Sequence, residues 1–145
     1  MINLLKKFLH NEVISYLIFG VLTTVVYIIS RLIIFYLIQN VTVAAGLANV
    51  IAILFAFATN DSIVFKQVRS GWFSRLLKFV IARVVTLVLD VFLAYLLVER
   101  FPHFIGQFVN DNKNMINSVE TIIGQVLVII LNYVLSKVFV FKSKK

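Results

Sequence analysis

The chain has 145 residues, 61% hydrophobic and 14% charged, with a mean hydropathy of +1.02. A soluble domain of this length leaves much of its surface in water, so this composition excludes one and calls for several bilayer spans. The absence of cysteine excludes disulfides and thiolate metal sites.

In chain order, MINLLKKFLHN comes first. Leu4, Leu5, Phe8 and Leu9 share a helical face beside Lys6 and Lys7, which suits a short helix lying on an anionic leaflet. Four apolar segments follow, predicted as spans at 16–38, 43–65, 76–98 and 117–141. Each approaches the length of about 20 residues that crosses a hydrocarbon core. The first is too long for a signal-peptide core, contains Arg31 and lacks a small-residue cleavage site. The β-branched runs VTTVVYII and VIARVVTLVL exceed the roughly 10 residues of a barrel strand and do not alternate. Lipid then requires helices, which satisfy their own backbone groups. One proline and five glycines leave no room for long linkers. The expectation is an all-α, four-helix integral membrane protein forming a single domain over residues 1–145.

Charge orients the spans. Lys6 and Lys7 precede the first, Lys66, Arg69, Arg75 and Lys78 separate the second from the third, and Lys142, Lys144 and Lys145 follow the fourth. The QNVT turn is uncharged, and the 99–116 loop sets Arg100 and Lys113 against Glu99 and Asp111. The positive-inside rule places both termini and the middle loop in the cytoplasm of a multi-pass cell-membrane protein. The net charge of +8 is therefore mostly a topology signal and an attraction to anionic lipid. A nucleic-acid partner is not expected, because the basic residues flank spans rather than form one face.

The second and fourth spans close alike. FAFATNDSIVFK at 55–66 and NYVLSKVFVFK at 132–142 set Ala56 against Asn132, Asn60-Asp61 against Ser136-Lys137, and Val64-Phe65 against Val140-Phe141. Upstream, Tyr16 with Gly20 matches Phe79 with Arg83. Two parallel helical-hairpin repeats, related by an axis along the membrane normal, account for this pattern; matching between apolar segments that both end at a basic boundary is the alternative.

These closes, with the F-x-x-x-R stretch opening the third span, resemble the GtrA-like family of small four-helix membrane proteins. The family pattern is approximately N-F-x-x-N-R-x-W-V-F. The first copy departs from it at Ala56, Asp61 and Ile63, and the second at Tyr133 and Ser136. The resemblance covers nearly the whole chain. It implies translocation of an undecaprenyl-phosphate-linked sugar to the outer leaflet, where membrane glycosyltransferases decorate a cell-wall or surface polysaccharide such as teichoic acid. Arg83 and Lys137 are then the expected lipid-phosphate contacts, with Asn60, Asn132 and Asp90 on the sugar headgroup. Ala56, Val64, Phe65, Phe79, Val140 and Phe141 support the motifs. The partners are the polyprenyl-phosphate-linked sugar, membrane glycosyltransferases and the lipid bilayer, with a homo-oligomer left open.

The residues can be weighed without the family. An Arg within a span costs roughly 2.5–3.5 kcal/mol on insertion scales, so Arg83 either meets protein, water or an anion, or snorkels to the headgroups. Its guanidinium suits a phosphate. Asn60 and Asn132 serve either a ligand or interhelical hydrogen bonding. Asp90, two turns from Arg83 on the same face, accepts from a sugar, offsets Arg83 when the site is empty, or forms a purely structural salt bridge. Arg31 and Glu120 form an outer gate or a structural pair, or each snorkels outward. Thr23, Thr24, Thr86 and Gln125 read as packing residues.

Enzyme chemistry finds little support in the sequence, and a non-enzyme is expected. His10 and His103 fall on opposite sides of the membrane, no nucleophile–base pair or phosphate loop is present, and neither a metal nor a cofactor is expected. The other readings are an accessory subunit that scaffolds a glycosyltransferase and a small multidrug exporter, with an ion channel weaker still. Such exporters depend on a Glu inside the first span; here Glu12 precedes the predicted span.

Overall fold

A computed structural model describes residues 10–142, all of whose regular structure is helical, with no strand among the described residues. The interfacial helix expected over residues 4–9 lies outside them, as do Lys6, Lys7, Lys144 and Lys145. The helices are α1 (Glu12–Ile38), α2 (Val41–Thr59), α3 (Trp72–Ala94), the short α4 (His103–Gly106) and α5 (Lys113–Leu135). Segments of π-helix continue α2, α3 and α5 over Asn60–Val64, Tyr95–Arg100 and Ser136–Val140. Four continuous helices are thus long and apolar enough to cross a membrane: Glu12–Ile38, Val41–Val64, Trp72–Arg100 and Lys113–Val140.

All four spans begin two to four residues before the sequence expectation of 16–38, 43–65, 76–98 and 117–141, and for the first and last a polar cap sets the start. Asn11 Oδ1 accepts from the backbone N–H groups of Val13 and Ile14, so α1 starts at Glu12. Asn112 does the same for Asn114 and Met115, starting α5 at Lys113. These turns are too polar to register as apolar span, yet they satisfy the otherwise unpaired N–H groups of a helix start.

Two compact units divide the chain. The first takes in the described residues up to Leu76 together with Phe141 and Lys142. In it α1 and α2 form a tight hairpin. Gln39 adopts a left-handed conformation (φ 54°) and donates its N–H to Phe35 O at 2.8 Å, while Asn40 caps α2 through Val43 N at 3.0 Å. Ala44, Ala48, Ala52 and Ala56 recur every fourth residue and form the buried side of α2. Side chains this small permit close helix approach in lipid, where packing rather than water exclusion drives association. At the end of α2 the rings of Phe57 and Phe65 lie 5.9 and 4.9 Å from that of Phe141, both stacked, and Gln67 Nε2 donates to Phe141 O.

The second unit runs from Leu77 to Val140. Here α3 and α5 are antiparallel: Lys78 meets Phe139, Thr86 meets Asn132, and Asp90 meets Gly124. The connection folds through α4, where Asn110 and Asp111 adopt left-handed conformations and the Asp111 carboxylate lies against Gly106.

Both segments that the sequence pairs, 60–64 and 136–140, adopt π geometry after the same point of the motif. A π turn closes its backbone bond one residue later than an α turn, as in Phe65 N to Asn60 O at 2.9 Å. Such turns concentrate at functional sites.

Candidate functional site

In the second unit the polar groups assemble on α3 and α5. Arg83 is partly buried, and its guanidinium carbon lies 4.6 Å from the centroid of Phe79, which is itself fully buried. That distance is a cation–π contact, in which the ring face attracts the cation. One turn on, buried Thr86 has its hydroxyl 3.0 Å from the Arg83 carbonyl and donates to Asn132 Oδ1 on α5 at 2.8 Å. Asn132, which helical rise alone placed at a depth similar to that of Arg83, therefore meets α3 at Thr86, one turn from Arg83.

Two lysines accompany them. Lys78 Nζ lies 5.8 Å from the Phe139 centroid, and Lys137 Nζ is 5.6 Å from the Tyr133 centroid and donates to its hydroxyl at 3.3 Å. Lys137 is exposed. Three cations on aromatic supports thus occupy the end of this unit where α3 begins and α5 finishes. Lys78 entered the sequence reading only as a topology charge and Thr86 only as packing. Their spacing from Arg83, five residues before and three after, was the available signal.

In the first unit Asn60 opens the π segment after α2 and is 4% exposed. Its amide donates to Ala56 O at 2.7 Å, while Oδ1 is buried without a hydrogen-bond partner. An unmet buried acceptor costs about 1–3 kcal/mol. Asp61, which replaces the family's basic residue, is held by Arg75: Nε to Oδ1 at 2.5 Å and Nη2 to Oδ2 at 3.2 Å. Arg75 also donates to the carbonyls of Ser70 and Val68, both at 2.7 Å, and so organises the 66–71 loop. Val64 and Phe141 are buried, as is Val140 in the second unit.

The remaining sequence candidates fall elsewhere. Arg31 is exposed and donates to Tyr27 on its own helix at 3.1 Å. Asp90 forms no salt bridge with Arg83. It converges instead with Glu120 on Gly124: a Cβ there would lie 3.1 Å from Asp90 Oδ1 and 3.2 Å from Glu120 Oε1. Thr23 and Thr24 bond back to the carbonyls of Phe19 and Gly20, and Gln125 is exposed. Among the described residues no group of three or more His, Cys, Asp or Glu side chains could hold a metal ion.

Comparison with known proteins gives two relatives of nearly equal length. "Uncharacterized membrane protein YwcD" of Bacillus subtilis (strain 168) is 35% identical over 139 residues, covering 90% of this chain and 96% of that protein. "Cell wall teichoic acid glycosylation protein GtcA" of Listeria monocytogenes serovar 1/2a (strain ATCC BAA-679 / EGD-e) is 29% identical over 140 residues, covering 93% and 88%. No solved structure matches. Residues 15–141 match the family described as GtrA/DPMS, transmembrane domain. With its four long apolar helices and that match over almost its whole length, the chain is a multi-pass membrane protein belonging to the GtrA/DPMS transmembrane-domain family.

Proposed function

We propose that this protein moves an undecaprenyl-phosphate-linked sugar from the cytoplasmic to the outer leaflet of the cell membrane, for glycosylation of a wall polymer such as teichoic acid. The carrying observation is the Arg83–Thr86–Asn132 arrangement, a guanidinium held on Phe79 beside a hydrogen-bonded amide. Phosphate is the group that all such lipids share, and a guanidinium offers it paired donors. Lys78 and Lys137 add charge at the same end of α3 and α5. The Asn60 acceptor suits a sugar hydroxyl, which would meet an otherwise unsatisfied atom.

The name of the Listeria relative supports the process, and the family match supports the membrane context. In this reading both termini and residues 66–75 face the cytoplasm, because Lys66, Arg69 and Arg75 lie there and Lys78 follows directly. The chain acts without catalysis, delivering substrate to a membrane glycosyltransferase.

Reconstitution tests this directly. The purified protein alone, in vesicles holding a short-chain polyprenyl-phosphate-sugar, should make that lipid accessible on the opposite leaflet faster than empty vesicles do, and Arg83→Ala should not. Equal rates with and without protein would favour a non-transporting subunit that scaffolds the glycosyltransferase.

A further inference from the structure

At the end of the second unit away from Arg83, a cavity of about 410 Å³ is lined by Arg100, Phe101, Pro102, His103, Phe104 and Gln107. The chain builds it locally. Phe101 N donates to Leu96 O at 2.8 Å and closes the π segment that continues α3. Pro102 has no N–H to extend that segment, and α4 starts after it, secured by Gly106 N to Pro102 O at 2.8 Å. His103 and Gln107, four residues apart in helical geometry, then share a face.

The lining joins open polar groups to open rings. Arg100 is exposed, and its guanidinium carbon lies 5.9 Å from the Phe101 centroid. Among the described residues it forms no hydrogen bond or ion pair, so its N–H donors are open. His103 Nδ1 lies 3.3 Å from Asp111 Oδ1, which leaves Nε2 without a described partner. Gln107 Nε2 donates to Phe104 O at 3.2 Å, and its carbonyl oxygen remains available. Glu99 and Asp111 are the neighbouring carboxylates, and neither lines the cavity. Phe101 and Phe104 are 58% and 69% exposed, and Phe108 just beyond them is 80% exposed. Three exposed rings at the end of a membrane-length helix mark a place for apolar matter. A guanidinium with open donors suits a phosphate. The volume lies within the roughly 300–1,000 Å³ of small-molecule sites, so it holds more than a phosphate, and the imidazole and amide can meet hydroxyls.

We infer that this cavity is a second headgroup site for a polyprenyl-phosphate-linked sugar, with Arg100 on the phosphate, His103 and Gln107 on sugar hydroxyls, and the rings against the lipid chain. The inference rests on the cargo proposed above and adds a place for it at the other end of the same helix. Arg100 follows Arg83 by seventeen residues, about 25 Å along the axis, so one lipid headgroup cannot occupy both sites at once.

The test uses the full chain in lipid nanodiscs and a short-chain polyprenyl-phosphate-hexose carrying a diazirine on its first isoprene unit. After photolysis, peptide mapping should find label on residues 100–108 as well as near Arg83. Arg100→Ala should lower label on 100–108 about tenfold or more, as loss of a charge-assisted hydrogen bond does, and leave label near Arg83 unchanged. Arg100→Lys should recover only part of it. Gln107→Ala should lower labelling by the hexose lipid but not by the same probe without its sugar. On the unsubstituted protein, a readout independent of any variant's folding, excess phosphatidylglycerol or inorganic phosphate should not displace the probe. The proposal is overturned if 100–108 carries no label, if Arg100→Ala labels there as fully as the unsubstituted chain, or if either competitor displaces the probe, which would make the cavity a site for bulk lipid or a free anion. Label on 100–108 with none near Arg83 would instead remove the Arg83 site and leave this one standing.

Discussion

Thr86 Oγ1 lies 2.8 Å from Asn132 Oδ1, a hydrogen bond that joins two membrane-spanning helices one turn from Arg83. It orients the Asn132 amide by occupying its carbonyl, which leaves the NH2 group for a ligand. Bonds of this kind between membrane helices contribute about 0.6 kcal/mol on average and up to roughly 1.7. Thr86→Val should therefore cost little stability, measured by resistance to denaturation in detergent. It should reduce sugar transfer to the wall polymer more than that small loss explains, because a mispositioned amide no longer meets its ligand.

Arg83 gives a sharper expectation. Arg83→Ala should abolish wall-polymer glycosylation in cells while the protein still inserts and accumulates, as read by immunoblotting of membranes. Arg83→Lys should rescue poorly, since an ammonium lacks the planar fork that pairs with two phosphate oxygens. Full glycosylation in the alanine variant would remove Arg83 from the site.

Asn60 separates structure from function by sign. Its Oδ1 is buried and unpaired, so Asn60→Ala removes a group that costs folding about 1–3 kcal/mol when left unmet. The lost amide bond to Ala56 O offsets part of this, because that carbonyl belongs to the helix ladder. Stability should then be unchanged or improved while transfer activity falls. A variant that is both unstable and fully active would assign Asn60 to packing alone.

The Asp61–Arg75 pair is expected to be structural. Both side chains are largely buried, and two bonds link them. A double-mutant cycle with Asp61→Ala and Arg75→Ala should return a coupling of about 1.5–3 kcal/mol, typical of charge-assisted hydrogen bonds. Arg75→Ala should also free the 66–71 loop, seen as faster amide exchange there, because Ser70 and Val68 lose their donor.

Orientation is open to direct labelling, since the natural chain has no cysteine. A cysteine at Lys142 or Lys66 should be shielded from an impermeant thiol reagent in intact cells, and one at Gln107 should react. Reaction at Lys142 from outside would invert the proposed topology.

The sequence by itself determined that this chain is helical and crosses the membrane four times. Hydrocarbon offers the backbone no partner, so long apolar runs have one solution. It also placed Asn132 close to Arg83 in depth, because axial rise is a property of each helix alone, and the bond to Thr86 sets it one turn away. What it did not determine was which face meets which. The cap residues Asn11 and Asn112 lengthened spans whose polar first turns carry no apolar signal. Asp61 stood in the sequence only as a departure from the family pattern; Arg75, fourteen residues later, closes on it through a turn with Gly71 at φ +75°. Glu120 was expected to gate the exit with Arg31, to pair with it or to snorkel outward, yet its Oε1 lies beside Gly124, as does Oδ1 of Asp90. Contacts across helices depend on rotation about each axis and on register between them. Both are fixed by packing between neighbours, and only the tertiary structure supplies that.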